Sequence, residues 1–171
     1  GADLGAEKFL NIKCRKAGLS PSCVVIVATI RALKMHGGVE KEDLKKENIN
    51  ALKKGLVNLE RHILNIKRFG LEPIIGINHF ILDTKKEIRV IFDFCKKMNV
   101  GVSECKHWAE GWKGATYLAK KIVKICKKKR GKFNFLYKNN LKLWDKIELI
   151  AKEIYKANNI TASKEIIEQL K

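Results

Sequence analysis

Residues 23–29 have the sequence CVVIVAT and residues 73–78 have PIIGIN, and these two apolar runs decide the fold. A third and shorter run covers residues 100–103. Each run is continuous rather than alternating, which is typical of strands that are buried on both faces of a parallel sheet. The sequence therefore predicts parallel strands joined by segments long enough to contain helices.

Amphipathic helices are predicted between and after these strands. Apolar residues recur every three or four positions from Ile49 to Phe69, and Gly70 ends that pattern. Residues 84–87, TKKE, have the form of a capping box, so the next helix should begin directly after Asp83. The same periodicity predicts three later helices, at about residues 115–125, 143–154 and 163 onwards.

Strands and helices alternate, as in βαβ units with right-handed crossovers. We therefore predict an α/β fold in which helices flank a parallel sheet, followed by a C-terminal helical extension. The predicted division places the α/β part in residues 1–130 and the helical extension in residues 131–171.

The chain of 171 residues has a formal net charge of +18. A polyanionic partner would explain this charge, and so would lysines that solvate helix faces. Lysines scattered at helical spacing favour the second explanation. No apolar run is long enough to cross a membrane. The first residues resemble no signal peptide, and the missing initiator methionine indicates a processed or excised chain.

The five cysteines are widely spaced and never form a C-x-x-C pair: Cys14, Cys23, Cys95, Cys105 and Cys126. This pattern indicates a reducing, intracellular compartment, whether cytoplasmic or mitochondrial. Cys23 and Cys95 lie on apolar faces, where small buried side chains are predicted. The four histidines lack metal-ligand spacing, so no metal site is predicted. Cys105 and His107 lack the third group that would orient a nucleophile.

Ligands of open parallel sheets bind beyond the carboxyl ends of the strands. Three predicted loops lie there and hold most of the polar and aromatic candidates: Thr29, Arg31, Lys34, His36, Gly37 and Gly38 in the first, Asn78, His79, Phe80 and Asp83 in the second, and Glu104, Lys106, His107, Trp108 and Gly111 in the third. The sequence thus predicts one site at one edge of the sheet.

Two pairs of residues in these loops suggest ligand contacts. Phe80 and Trp108 are natural platforms for a planar heterocycle, although core packing explains Phe80 about equally well. Asn78 and Asp83 follow a strand, like the amide and carboxylate that read a purine in P-loop folds; Asp83 could also be a turn or cap residue. No G-x-x-x-x-G-K-[ST] sequence occurs, so a phosphate loop of that type is missing.

Longer stretches carry a family resemblance: GADLGAEKF at residues 1–9, IKCR at 12–15, VATIRALKMHGG at 27–38, NHF with DT at 78–84, HWAEG at 107–111 and DKI at 145–147. They resemble, in the same order, blocks of the formate–tetrahydrofolate ligases. The resemblance covers essentially the whole chain but only the middle-to-late part of the family's sequence. The form HWAE is similar to the ligase domain of trifunctional C1-tetrahydrofolate synthases.

The resemblance implies an internal fragment of an ATP-dependent ligase with a P-loop NTPase-like fold. In this family, ATP phosphorylates formate, and tetrahydrofolate then attacks formyl phosphate to give 10-formyltetrahydrofolate. The implied partners are tetrahydrofolate, formate and ATP, with Mg²⁺ and a monovalent cation as further cofactors. The parent enzyme is expected to be a homo-oligomer that binds neither nucleic acid nor membrane. The fragment alone is expected to be inactive.

Motif positions imply three groups of site residues: Phe80, Trp108 and Glu104 at the folate, Asn78 and Asp83 at the nucleotide, and Gly5 and Arg31 as catalytic residues. Phe80 and Trp108 would sandwich the pterin ring, and Gly5 would lie near formyl phosphate. The chain departs from the family at Ile81, Leu82 and Trp112, which could reshape the pterin rim.

Two other functions stay open at the level of sequence. The net charge motivates a basic nucleic-acid-binding module, which would show steeply salt-dependent binding. The altered residues Ile81 and Trp112 motivate a non-catalytic ligase homologue that serves as a scaffold.

Overall fold

The computed structural model describes residues 5–128 and 132–170, which fall into two compact units. One unit combines Gly1–Ser20 with Phe133–Lys171, and the other is Pro21–Lys132. The predicted boundary at residues 130 and 131 lies outside the described residues, as do residues 1–4 of the first family block.

The second unit contains a sheet of three parallel strands in the order β1-β2-β3: β1 (Val24–Ala28), β2 (Pro73–Asn78) and β3 (Gly101–Cys105). The predicted parallel α/β arrangement is confirmed. The third strand is predicted at residues 100–103 but extends to Cys105. Glu104 therefore lies within β3, paired with Ile77, and not in the loop beyond it.

Helices connect the strands and continue after the sheet: α3 (Ile30–His36), α4 (Ile49–Arg68), α5 (Lys85–Lys97), α6 (His107–Glu110) and α7 (Thr116–Lys127). In α4 the buried residues recur at the predicted spacing of three or four. Helix α5 begins with the predicted capping box, in which Thr84 and Glu87 exchange hydrogen bonds of 3.1 and 3.2 Å. Both helices are thus confirmed.

Strand β1 departs from the prediction that both strand faces are buried. Ile26 and Ala28 are buried, but Val27 on the opposite face is 67% exposed. Helix α7 covers that second face at β2, where Leu118 lies beside Gly76. A continuous apolar run does not distinguish β1 from β2 in this respect. It indicates that a strand can be buried on both faces, but not which element covers each face.

Helices α3 and α4 approach each other closely because residue 55 is glycine. A Cβ atom at Gly55 would lie 1.8 Å from the carbonyl oxygen of Leu33, a distance that no side chain tolerates. This contact places α3 directly against α4 and fixes the start of the loop that follows β1.

The most buried charges of this unit form an ion pair between α3 and α5. Lys34 Nζ lies 2.9 Å from Glu87 Oε1, and the two side chains are 2% and 0% exposed. Lys34 also donates to the carbonyls of Leu44 and Lys46, at 2.8 and 2.9 Å. Glu87 also accepts from the amide of Asn48 at 3.1 Å. The pair thus satisfies polar groups of residues 44–48 and connects that stretch to α3 and α5.

These contacts set the ionisation of Glu87. Burial by itself would raise the pKa of this carboxyl, because desolvation disfavours the charged form. The hydrogen bonds from Lys34 and from the Thr84 and Asn48 amides outweigh burial, so the pKa lies below its usual value. Glu87 is therefore ionised in the folded chain at neutral pH.

The first unit joins the two ends of the chain: α1 (Ala6–Lys8), a π-helical turn (Phe9–Lys13), α2 (Cys14–Ala17), α8 (Leu143–Glu153) and α9 (Lys164–Leu170). The two later helices are confirmed, whereas the helical segment at the start is not predicted from the sequence. Its buried face includes the polar residues Glu7 and Asn11, whereas the apolar residues Phe9 and Ile12 are exposed, so its apolar residues do not follow the buried face.

Side chains of the early segment hold the late one within this unit. The amide of Leu136 donates to Asn11 Oδ1 at 2.9 Å. The Arg15 guanidinium donates to the Tyr137 carbonyl and lies 4.0 Å from the centre of the Phe135 ring. These contacts cross more than a hundred positions of sequence, so no local pattern indicates them.

We expect Lys34→Met to destabilise the chain by about 3–5 kcal/mol, because it leaves Glu87 buried without its cation. The double variant Lys34→Met with Glu87→Gln should lose less, since no unpaired charge remains. Lys46→Met is the matched control, because its ion pair with Asp43 is exposed and should matter little. Urea unfolding followed by circular dichroism measures all three; equal losses for the single and double variants would contradict this account.

The ion pair also predicts a pH dependence. A lowered pKa means that Glu87 contributes stability above the unfolded pKa of glutamate, about 4.3, and that this contribution disappears as the pH falls through the lower folded value. The stability difference between the unmodified chain and Glu87→Gln should therefore be constant at neutral pH and shrink below about pH 4. Urea midpoints across that range measure it, and a gap that widens in acid would refute the assignment.

Candidate functional site

The site begins where β2 and β3 end side by side. Asn78, the last residue of β2, pairs with Cys105, the last residue of β3. The amide of His79 donates to the Cys105 carbonyl at 3.1 Å, which keeps the chain beside β3 as it leaves the sheet. The predicted meeting of these two loops at one edge of the sheet is therefore present.

Phe80 is held by a tight turn and by Arg31. Its amide donates to Asp83 Oδ2 at 2.8 Å, and its carbonyl accepts from the Asp83 amide at 2.9 Å. The Arg31 guanidinium lies 4.8 Å from the centre of the Phe80 ring, within range of a cation–π contact. One carboxylate oxygen of Asp83 is thus engaged in the turn that orients the ring.

Asp83 titrates differently from a free carboxyl. Burial raises its pKa, and this effect outweighs the lowering by the Phe80 amide, His79 and Arg31. The carboxylate is held in a partly dehydrated position between an aromatic ring and basic groups.

Trp108 lies on α6, directly after β3, and 73% of it is exposed. The sequence predicts a polar loop here, but residues 107–110 form a short helix. The amide of Lys106 donates to the Gly114 carbonyl at 3.2 Å, which folds the segment back on itself. A Cβ atom at Gly114 would lie 2.4 Å from the Lys106 carbonyl carbon, so only glycine permits this approach.

Phe80 and Trp108 line the same cavity. Its volume is about 210 Å³, and six residues surround it: His79, Phe80, Ile81, Lys106, Trp108 and Ala109. Most of this lining is apolar, and Lys106 contributes a cation at the rim. The structure thus brings together two flat aromatic rings that are 28 positions apart in the sequence.

Glu104 contacts two basic residues of this cavity. Its Oε1 atom lies 2.6 Å from His79 Nδ1 and 3.5 Å from Lys106 Nζ. Glu104 therefore lies within ion-pair distance of His79 and Lys106, two side chains that form part of the lining. The sequence places both residues in the right loops but assigns them no role, because nothing local shows that Glu104 on β3 points towards His79, which follows β2.

The remaining predicted residues differ in their surroundings. Asn78 Oδ1 is buried and has no hydrogen-bond partner among residues 5–128 and 132–170, which leaves an acceptor for a ligand. Gly5 belongs to the first unit, where it precedes α1 with φ of 106°. The other predicted site residues belong to the second unit: Arg31, Asn78, Phe80, Asp83, Glu104 and Trp108.

A larger cleft of about 500 Å³ lies at the opposite end of β3. It is lined by residues of α5, by Val100 and Gly101 at the start of the strand, and by Lys121. Ligands of parallel sheets bind at the carboxyl ends of the strands, and this cleft lies at an amino end. The smaller aromatic cavity is therefore the better candidate.

Within residues 5–128 and 132–170, no three or more His, Cys, Asp or Glu residues are grouped so that they could hold a metal ion. Nor is any described helix both long and apolar enough to cross a membrane.

Comparison with known proteins gives one consistent result. Residues 1–171 match the family model for formate–tetrahydrofolate ligase. A formate–tetrahydrofolate ligase of Pelagibacter ubique is 58% identical over 171 residues, which is 100% of this chain and 30% of the relative. Ligases of Granulibacter bethesdensis and Rhizobium etli are 55% and 51% identical, over 95% and 99% of the chain and 28% and 30% of the relatives. The chain spans about 30% of the length of such relatives.

We expect Gly114→Ala to displace the Trp108 segment, because the new methyl group would overlap the backbone at Lys106. The cost should be about 1–3 kcal/mol of stability, with a changed Trp108 environment. Gly101→Ala is the matched control, since its Cβ would meet only the Ile74 side chain, at 3.3 Å. Urea unfolding and tryptophan emission measure the effect; an unchanged spectrum and stability for Gly114→Ala would show that the close approach is unimportant.

Proposed function

Because this chain belongs to the formate–tetrahydrofolate ligase family, we propose that it supplies the folate-binding part of an ATP-dependent ligase. The parent enzyme would join formate to tetrahydrofolate through formyl phosphate and release 10-formyltetrahydrofolate. The observation that carries this proposal is the aromatic cavity between Phe80 and Trp108, at the carboxyl edge of a parallel sheet.

A pterin ring is planar, apolar on its faces and polar along its edge. Phe80 and Trp108 would stack on its two faces, and stacking of this kind stabilises a heterocycle without demanding one orientation. The turn closed by Asp83 and the guanidinium of Arg31 hold the Phe80 ring in place. Glu104 would contribute to folate binding together with His79 and Lys106, because the side chains of these two residues lie close to its carboxylate.

The basic groups near the cavity match the charges of the proposed substrates. Tetrahydrofolate ends in a carboxylate tail, and formyl phosphate is an anion. Arg31 contacts the Phe80 ring and Lys106 lines the cavity, and these two cations would attract such groups. The attacking nitrogen of tetrahydrofolate would form a bond to the formyl carbon and lose its proton, while the carbon–oxygen bond to phosphate breaks. A nearby cation would stabilise the departing charge.

The nucleotide and formyl phosphate contacts are proposed on motif position. The free acceptor of Asn78 would take a hydrogen bond from the adenine edge. Asp83 has one carboxylate oxygen outside the turn that holds Phe80. Gly5, with its positive φ, would let the backbone approach formyl phosphate. ATP would act together with Mg²⁺ and a monovalent cation.

The proposal extends to the architecture of the parent enzyme. The three parallel strands would form part of a P-loop NTPase-like sheet, with residues 1–130 in the nucleotide and folate domain and residues 131–171 as a helical extension. We propose a homo-oligomer in the cytoplasm. The chain alone would bind folate without turning it over, because phosphoryl transfer depends on groups that position the phosphates.

We expect tetrahydrofolate to quench the tryptophan fluorescence of the chain in a saturable way, after correction for absorbance by the ligand. Trp108→Ala should abolish that quenching and weaken binding about tenfold, because one stacking face is lost. Isothermal titration calorimetry gives the affinity independently of the fluorophore.

Trp112→Phe is the matched control, because Trp112 is equally exposed but does not line the cavity. It should retain both the quenching and the affinity. Calorimetric binding that survives unchanged in Trp108→Ala would exclude the aromatic cavity as the folate site.

A further inference from the structure

Two cysteines lie close together in the second unit, away from the aromatic cavity. Cys126 Sγ is 3.9 Å from Cys23 Sγ, although the residues are 103 positions apart in the sequence. Cys23 directly precedes β1, and Cys126 lies in the last turn of α7. We propose that Cys23 and Cys126 are a site of reversible oxidation, at which a hydroperoxide converts the two thiols into an intramolecular disulfide.

Exposure distinguishes this pair from the other thiols. Cys126 is exposed and Cys23 is half-buried, whereas Cys14, Cys95 and Cys105 are buried. An oxidant in solution therefore reaches Cys126 first. Susceptibility to oxidation increases with exposure, and a second thiol close by can resolve the sulfenic acid that forms first; Cys126 is exposed and Cys23 lies beside it.

The chemistry proceeds in two balanced steps. The sulfur of Cys126 attacks the O–O bond of the hydroperoxide, forming a sulfenic acid and releasing an alcohol, or water where the oxidant is hydrogen peroxide. The sulfur of Cys23 then attacks that sulfenic sulfur, the S–S bond forms, and the hydroxyl group leaves with the Cys23 proton as water. The two thiols lose two electrons in total, and the peroxide takes them up.

The environment assigns different roles to the two thiols. Burial, followed by the influence of Cys126 and Glu72, raises the pKa of Cys23 to about 11. Cys23 therefore remains a protonated thiol at neutral pH. It reacts only after Cys126 has been oxidised, as the resolving thiol.

The crosslink would close nearly the whole second unit into one ring. The unit comprises Pro21–Lys132, and the two cysteines lie close to both of its ends. All three strands and the aromatic cavity lie inside the ring. A disulfide that closes so long a loop restricts the unfolded chain strongly, so the oxidised form should be the more stable one. This inference does not depend on the proposed function.

Oxidation of the 171-residue chain with hydrogen peroxide tests the site, with intact mass, peptide mapping and thiol counting as readouts. We expect a mass lower by two hydrogen atoms, a Cys23–Cys126 crosslinked peptide and full reversal by dithiothreitol. The rate should not depend on protein concentration, because the reaction is intramolecular. The oxidised chain should melt about 5 °C or more above the reduced chain.

Cys126→Ser and Cys23→Ser should both abolish the crosslink and the rise in melting temperature. Because Cys126 is exposed, the first variant should fold normally and remains informative if the second is unstable. Cys95→Ser is the control and should form the crosslink normally. Oxidation of Cys126 to sulfinic acid without a crosslink, or disulfides formed only between chains, would overturn the proposal.

Discussion

The buried ion pair between Lys34 and Glu87 is the interaction on which the folded arrangement of the sheet unit depends. Removing two opposite charges from water costs free energy. Such a pair is retained where further hydrogen bonds satisfy the remaining donors and acceptors of the two groups. Here the ammonium group reaches two carbonyls of the loop before α4, and the carboxylate reaches two amides at the starts of α4 and α5. A single ion pair thus connects one loop to the starts of two helices. Hydrophobic contacts alone would not specify these positions.

The same pair connects the core to the proposed site. Glu87 accepts from the amide of Thr84, and the neighbouring Asp83 closes the turn at Phe80. The ring of Phe80 in turn contacts Arg31, which lies one helical turn before Lys34 on α3. This series of contacts therefore begins at Lys34 and ends at Arg31, and both residues lie on α3. The ring is held from both sides by elements that the ion pair joins, which is the rigidity that a stacking surface requires.

Three acidic residues of this basic chain make specific contacts with neighbouring side chains. Glu87 is paired with Lys34, Glu104 with His79 and Lys106, and Glu7 accepts from the hydroxyl of Tyr155 at 2.8 Å. Most lysines, by contrast, extend into solvent. The excess positive charge of the described residues therefore lies mainly on exposed lysines.

The sequence by itself determined the α/β class, the parallel strands, the long helix of residues 49–68, the capping box at Thr84 and the family. These features depend on periodicity, end signals and extended motifs, which are local. It also named Phe80 and Trp108 and the edge of the sheet at which they meet. The tertiary structure decided the exposure of Val27, the position of Glu104 inside β3, the joining of the chain's two ends and the proximity of Cys23 to Cys126. Each of these depends on contacts between distant segments, and such contacts follow from packing, which no local pattern contains.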